Sequence, residues 1–527
     1  MQTAYDVVII GAGHNGLVAA CYLARAGRRV LVLERRHLVG GACVTEEVFS
    51  GFKVSTAAYV NSLFRKEIIR DLRLGEYGFA MLERQPSSFT PTPDDRYLML
   101  GHDAEENRRE IAKFSSRDAE SYPRYEAMLT RLAELIEPLT LETPPDPVNA
   151  RVADLWQGVK LARRLYGARG DAMRLSEIFL EPATRMLDRW FESEPLRATL
   201  ATDAIIGAFA PPSHPGTAYV LFHHVMGETG GKRGVWGYVR GGMGALTEAL
   251  ASAARDLSVD IACEAPVTAI RVADGRVQGV VLADGREVRA SVVASCIDAA
   301  QTFTRLIDPA TLPDDFRAAI DHIDYGSAAA KINLTLAEPP DFRALPGREP
   351  GPQHRGTIHI APTIDEIERA YDDAKWGKPS RRPILECTIP SVVDDSLTPP
   401  GRHLMSMFVQ YAPYELAEST WDQQRDAFAD TCIDLLTEYA PNFRNAVIDR
   451  QVLTPVDLER TFGLTGGNIF QGAMSPAQLF SRRPVPGWCQ YRTPIDGLYL
   501  CGSAAHPGGG VIGAAGYNAA RTMLKRS

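Results

Sequence analysis

Apolar positions along the chain fall into runs of two periods. Residues 7–10 are unbroken apolar, small and apolar residues follow at helical spacing, and residues 30–33 are a second apolar stretch ending at Glu34. Short apolar runs around a helical pattern predict strand, turn, helix and strand. Further on, Tyr125, Met128, Leu129, Leu132, Leu135, Ile136 and Leu139 recur at helical spacing, and Pro144, Pro145 and Pro147 break the run. Residues 196–210 are apolar nearly all round, which predicts a buried segment lining a cavity. Residues 331–336, 384–389 and 404–411 have strand-like composition. Residues 265–294 carry strand–turn–strand signals around Asp284 and Gly285.

Residues 152–166 are amphipathic. Val152, Leu155, Trp156, Val159 and Ala162 share one face, and Arg151, Lys160, Arg163 and Arg164 supply a basic one. Two readings stand open. The helix is a solvated cover over the core, or a lid resting on an anionic membrane through which a lipid-like substrate enters.

The turn after the first strand reads Gly11, Ala12, Gly13, His14, Asn15, Gly16. Glycines here permit a tight turn, close backbone approach to a pyrophosphate and close helix–strand packing, while the helix N-terminus offers unpaired N–H groups to phosphates. Glu34 ends the second strand, where an acid accepts hydrogen bonds from an adenosine ribose. Arg35 follows it, then Gly40, Gly41 and Ala42. An acid followed six residues later by a glycine pair is similar to the FAD signature of the amine oxidase and carotenoid desaturase superfamily. Near the C-terminus an apolar strand runs into Cys501, Gly502, Ser503, His506, Pro507 and Gly508–Gly510, then Val511, Ile512 and Gly513 open a small-residue helix. Such a loop lets backbone lie against a flat ring, and the helix N-terminus faces negative charge such as that of a reduced flavin.

With these motifs, and with similar stretches at 234–250 and 453–480, the chain resembles the phytoene desaturase-related FAD oxidoreductases. It is most similar to the pyridine nucleotide-disulfide oxidoreductase domain-containing protein 2 group. The resemblance spans essentially the whole chain. It implies an α/β fold in which a Rossmann-type FAD-binding domain, of glutathione reductase-like and amine oxidase type, is interleaved with an α+β substrate domain. The expected division is 1–75, 234–300 and 490–527 for FAD, and 76–233 and 301–489 for substrate. The resemblance also implies that Val267 offers backbone to the adenine and that His506 lies near the isoalloxazine, where a ring titrating near neutrality suits proton exchange. The chain departs from the superfamily at Ala42, where Arg is common, and at Ser503, where an acid commonly holds the ribityl chain.

Composition narrows the classes. At 527 residues the chain is too long for one simple core, and its hydrophobic fraction of 45% is globular. A net charge of −8 carries no basic excess, so nucleic acid is not an expected partner. Eight scattered cysteines form no C-x-x-C pair, which speaks against a disulfide framework, a dithiol redox site and a zinc site. Cys43 and Cys501 are expected to pack rather than react. A first strand by residue 5 leaves no room for a leader, and no apolar run approaches the ~20 residues of a span, so a cytoplasmic enzyme with at most peripheral membrane contact is expected.

The expected chemistry is desaturation, or saturation, of carbon–carbon bonds in a hydrophobic substrate, with the flavin exchanging hydride. The cavity is expected to be mostly apolar. Gly241, Gly242 and Gly244 precede a helix with no strand–acid pattern after it, so no second nucleotide site is expected and electrons pass to oxygen, a quinone or another diffusing acceptor. That glycine run is expected near the flavin or substrate. His223 and His224 are expected on a strand, pointing to opposite faces. A same-fold amine oxidase, a flavin-dependent isomerase and a non-catalytic lipid-binding escort are the rival readings. Self-association is open.

Overall fold

The computed structural model describes residues 3–525 except 151 and 168. Two seven-stranded sheets organise it. In the first, strands Asp260–Ala262, Val30–Leu33, Ala4–Ile10 and Glu287–Ser295 run parallel in that order, and Leu498–Leu500 joins Glu287–Ser295 in parallel. Arg276–Leu282 and Val267–Ala273 extend the sheet antiparallel. Helices His14–Arg25, Gly244–Asp256 and Ala514–Leu524 pack on one another over it. The contact is close: a Cβ on Gly516 would lie 2.0 Å from the Asn15 carbonyl oxygen. The unbroken apolar strands are buried throughout, as two covered faces require.

The second sheet runs Val447–Leu453, Ala329–Leu336, His403–Gln410, Ile384–Thr388, Thr357–Ile360, Ser88–Pro91 and Tyr97–Leu100. Only the pair Thr357–Ile360 and Ser88–Pro91 is parallel. One face packs Ile332, Leu385, Met407 and Ile358 with Phe428, Cys432 and Leu436 of helix Trp421–Thr437. The other face is polar at several positions and turns toward the interior.

Helices Ser116–Ile136, Ala172–Leu180, Ala183–Trp190, Glu194–Thr202 and Thr217–Val225 form a helical layer with a shared apolar core. His223 and His224 lie on the last of these, so the strand expected for them is a helix. Apolar residues 218–222 are buried all round there, and a fully buried helix lacks the period that separates it from a strand. Helix Val152–Gly167 turns its apolar face outward. Val152, Leu155, Trp156, Val159 and Tyr166 are 48–73% exposed, while Asp154 on the opposite side is buried and accepts from Gln490 Nε2. The apolar face of this helix is therefore not the one that meets the protein.

Candidate functional site

A cavity of about 810 Å³ begins at the first glycine turn. Gly11, Gly13, His14 and Asn15 form one wall, with Gly40, Gly41 and Ala42 beside them and Glu34, Arg35 and Val267 further out. Ser503, Gly510 and Val511 of the C-terminal loop line it too. Glu34 is buried. Its Oε2 accepts from the Ala12 N–H at 2.9 Å and its Oε1 from the Arg36 N–H at 3.0 Å, so the acid holds the turn while forming the wall. Asn15 Nδ2 donates to Ser503 Oγ at 3.4 Å, tying the two ends of the chain together.

Four expected cofactor residues stand behind this wall. A Cβ on Gly16 would meet the Gly11 carbonyl oxygen at 2.3 Å, and one on Gly502 the Cys296 oxygen at 2.3 Å. Both are close-packing positions. The Ile512 carbonyl accepts from the Arg65 N–H, and Gly513, at φ +78°, caps helix Ala514–Leu524.

The wall fits a dinucleotide. Gly13 has φ −67°, and a Cβ there would touch only Cys296 Sγ at 3.8 Å, so the space before the turn is open. His14 Nε2 and Arg36 Nη1 are buried on cavity-lining residues with no hydrogen-bond partner. Burial pushes His14 down to about 4, so the ring is neutral.

The cavity continues to the second sheet. Leu129, Leu200, Ile206, Leu221, Val235 and Trp236 give this inner chamber an apolar lining. Its floor is different. Lys331 pairs in register with Phe408, Phe408 with Glu386, and Glu386 with His359, so one row of side chains crosses four strands and faces the cavity. Lys331 Nζ donates to Asn333 Oδ1 and Ser406 Oγ and lies 4.4 Å from the Tyr59 ring centroid. His359 Nδ1 stands 3.1 Å from Thr202 Oγ1 and 3.9 Å from Glu386 Oε1. Asp203 follows helix Glu194–Thr202 and also lines the chamber. Burial pushes every member toward neutrality: Asp203 up to about 7, Glu386 up to about 8, Lys331 down to about 7 and His359 down to about 3. Sequence reasoning missed this row. Its signal was the alternation of polar and apolar residues in Lys331–Leu336 and Ile384–Thr388, which reads equally as a solvated sheet face.

His506 lies outside the cavity. Its Nε2 donates to the Leu139 carbonyl at 3.1 Å, Phe480 packs against the ring, and burial pushes it down to about 4. His223 Nε2 donates to the Gly509 carbonyl at 3.2 Å, while His224 lines the cavity. Gly241, Gly242 and Gly244, expected near the flavin or substrate, pack instead against Asp394, Thr45 and Ser55 and do not line the cavity. Arg483, also unforeseen, is buried and spans the loops, donating to the carbonyls of Ser503, Phe470 and Gln471 among others. Among the described residues, no group of three or more His, Cys, Asp or Glu is placed to hold a metal ion, and all eight cysteines are free thiols.

Comparison with known proteins fits this geometry. A family model described as flavin containing amine oxidoreductase matches residues 16–524. The chain is 46% identical over 548 residues to pyridine nucleotide-disulfide oxidoreductase domain-containing protein 2 of Rattus norvegicus, covering 100% of this chain and 94% of that one. It is 26% identical over 513 residues to a phytoene desaturase (lycopene-forming) of Pseudescherichia vulneris, covering 96% of each. A solved triple mutant of putrescine oxidase shares the fold, with a TM-score of 0.60 at 17% identity over 99% of both chains. The chain belongs to the flavin-containing amine oxidoreductase family, as an FAD-dependent oxidoreductase of the amine oxidase and desaturase type.

Proposed function

We propose that the protein desaturates, or in reverse saturates, a carbon–carbon bond of a hydrophobic substrate held in the inner chamber. The observation that carries this is the continuity of one cavity from the glycine turn to an apolar chamber walled by Leu129, Leu200, Ile206, Leu221, Val235 and Trp236. Burial of apolar surface supplies binding there at roughly 25 cal/mol per Å². FAD, when bound, supplies the hydride acceptor or donor. The chain's part is to hold the dinucleotide with Gly11, Gly13, His14, Asn15, Glu34, Gly41 and Ser503, to keep Val267 backbone beside it, and to exclude water. The relationship to a phytoene desaturase supports carbon–carbon chemistry. Electrons leave to a diffusing acceptor such as oxygen or a quinone. The experiment is anaerobic mixing of the oxidised holoenzyme with isoprenoid hydrocarbons and acids, and with primary amines. Bleaching of the flavin by the isoprenoids supports the reading, and bleaching by the amines alone overturns it.

The outward face of helix Val152–Gly167 supports a second component of this proposal, docking on an anionic bilayer. Eight of the twelve large apolar side chains exposed among the described residues lie within residues 148–180. That stretch carries net charge +3 in a chain of −8. Trp156 and Tyr166 are the residue types that settle at a headgroup boundary. Lys160, Arg163 and Arg164 flank the face; Arg151 lies outside the described residues. Among the described residues no helix is long and apolar enough to cross a membrane.

A further inference from the structure

Arg84 is 3% exposed and lines the inner chamber. Its Nε donates to the Trp236 carbonyl at 3.0 Å, its Nη1 to Thr357 Oγ1 at 2.8 Å, and its guanidinium lies over the Tyr238 ring at 5.4 Å. No carboxylate among the described residues lies within ion-pair distance of it. Arg483 is equally buried, but backbone carbonyls surround its guanidinium on all sides. Arg84 bonds the Trp236 carbonyl and Thr357 Oγ1 and is hydrogen-bonded with the Tyr238 hydroxyl, which leaves N–H groups of its five unused on a residue that lines the chamber.

A buried charge without a partner is costly, and most side chains escape by changing protonation. Asp203 and Glu386, beside Arg84, do so. Both shift toward the protonated carboxyl, with burial as the main cause and outweighing the opposite pull of the Arg84 charge on each. Guanidinium cannot lose its proton in a protein, so the unmet demand in this chamber is for an anion. Protonated carboxyls add O–H donors to the same place. An ammonium group would stand beside a fixed cation.

We propose that Arg84 anchors a carboxylate on an otherwise apolar substrate, so that the inner chamber takes amphipathic carboxylic acids. The assignment takes the chamber as the substrate's place, as proposed above. The planar guanidinium edge matches a carboxylate in two parallel hydrogen bonds. The substrate's apolar body then lies along Leu200, Ile206, Leu221 and Trp236.

Calorimetric titration of the FAD-loaded protein with decanoate, decylamine and decanol tests this. Decanoate is expected to bind about tenfold or more tightly than either analogue. Arg84→Gln is expected to remove about tenfold of decanoate affinity and leave decanol unchanged, with Arg84→Lys between them. Equal binding of the three probes, tighter binding of decylamine, no binding of decanoate, or an Arg84→Gln protein with full decanoate affinity each overturns the assignment. Should Arg84→Gln fail to fold, Arg84→Lys and the wild-type series decide. Flavin bleaching is read separately, so a protein that binds decanoate through Arg84 yet oxidises only amines refutes the desaturase reading and leaves this one standing.

Discussion

At the residue scale, two glycines three positions apart have different duties. A valine at Gly13 meets no backbone strain and little contact, so Gly13→Val is expected to fold and to lose FAD, its side chain occupying the space before the turn. A valine at Gly16 drives into the Gly11 carbonyl, so Gly16→Val is expected to be recovered poorly, if at all. Visible absorbance and far-UV circular dichroism of the two purified proteins check the contrast. Glu34→Ala is expected to weaken FAD by about 1–3 kcal/mol, because the wall acid and its hold on Ala12 and Arg36 go together. Glu386 gives a pH signature. Its carboxyl is pushed up to about 8 from an ordinary 4.5, so the folded chain keeps that proton longer than the unfolded chain does. The stability this confers is complete below about pH 4.5 and is lost as pH rises through about 8. Glu386→Gln has no proton to lose, so its Tm relative to wild type is expected to rise across that interval. A Tm difference independent of pH would contradict it. Glu34 and the glycines were legible because phosphate and ribose impose fixed spacings on consecutive residues. Arg84, Glu386, His359 and Lys331 were not, because the tertiary meeting of distant segments brings them together and no local spacing records it.

At the element scale, helix Val152–Gly167 was legible as a helix, but its orientation was not. Amphipathic periodicity states that two faces differ and leaves open which one meets the protein. Asp154, buried under Gln490, fixes that choice. Sedimentation with phosphatidylserine vesicles at low salt is expected to carry the protein down, and added salt to release it. Trp156→Glu is expected to reduce binding about tenfold or more, since an apolar anchor becomes an anion on an anionic surface. Absence of vesicle binding would return the helix to a surface cover or place this face between copies of the chain. A second element-level joint is Glu137, which accepts from both Arg65 and Arg233. All three side chains are largely buried, and they join the glycine-loop region to the helical layer. Glu137→Gln leaves Arg233 short of counter-charge, while Arg65 keeps its pair with Glu67, and is expected to cost about 3–5 kcal/mol, read as a fall in the denaturation midpoint.

At the scale of the whole molecule, the glycine turns at both ends of the chain converge on one cavity although 488 positions separate Asn15 from Ser503. Sequence reasoning anticipated that convergence through the two glycine motifs. It did not anticipate that the same cavity, walled by backbone at the glycine turns, is floored at its inner end by a row of buried ionisable groups. Acid precipitation is expected to release about one FAD per chain, as a single dinucleotide site requires; FMN or NAD in the supernatant would contradict the wall assignment. The most direct measurement for the account as a whole is the anaerobic reduction of the yellow holoenzyme, followed by its visible absorbance. Saturated or partly saturated isoprenoid acids are expected to bleach the flavin and yield a product with one more carbon–carbon double bond. Bleaching by primary amines with aldehyde as product, and none by the isoprenoids, would contradict it.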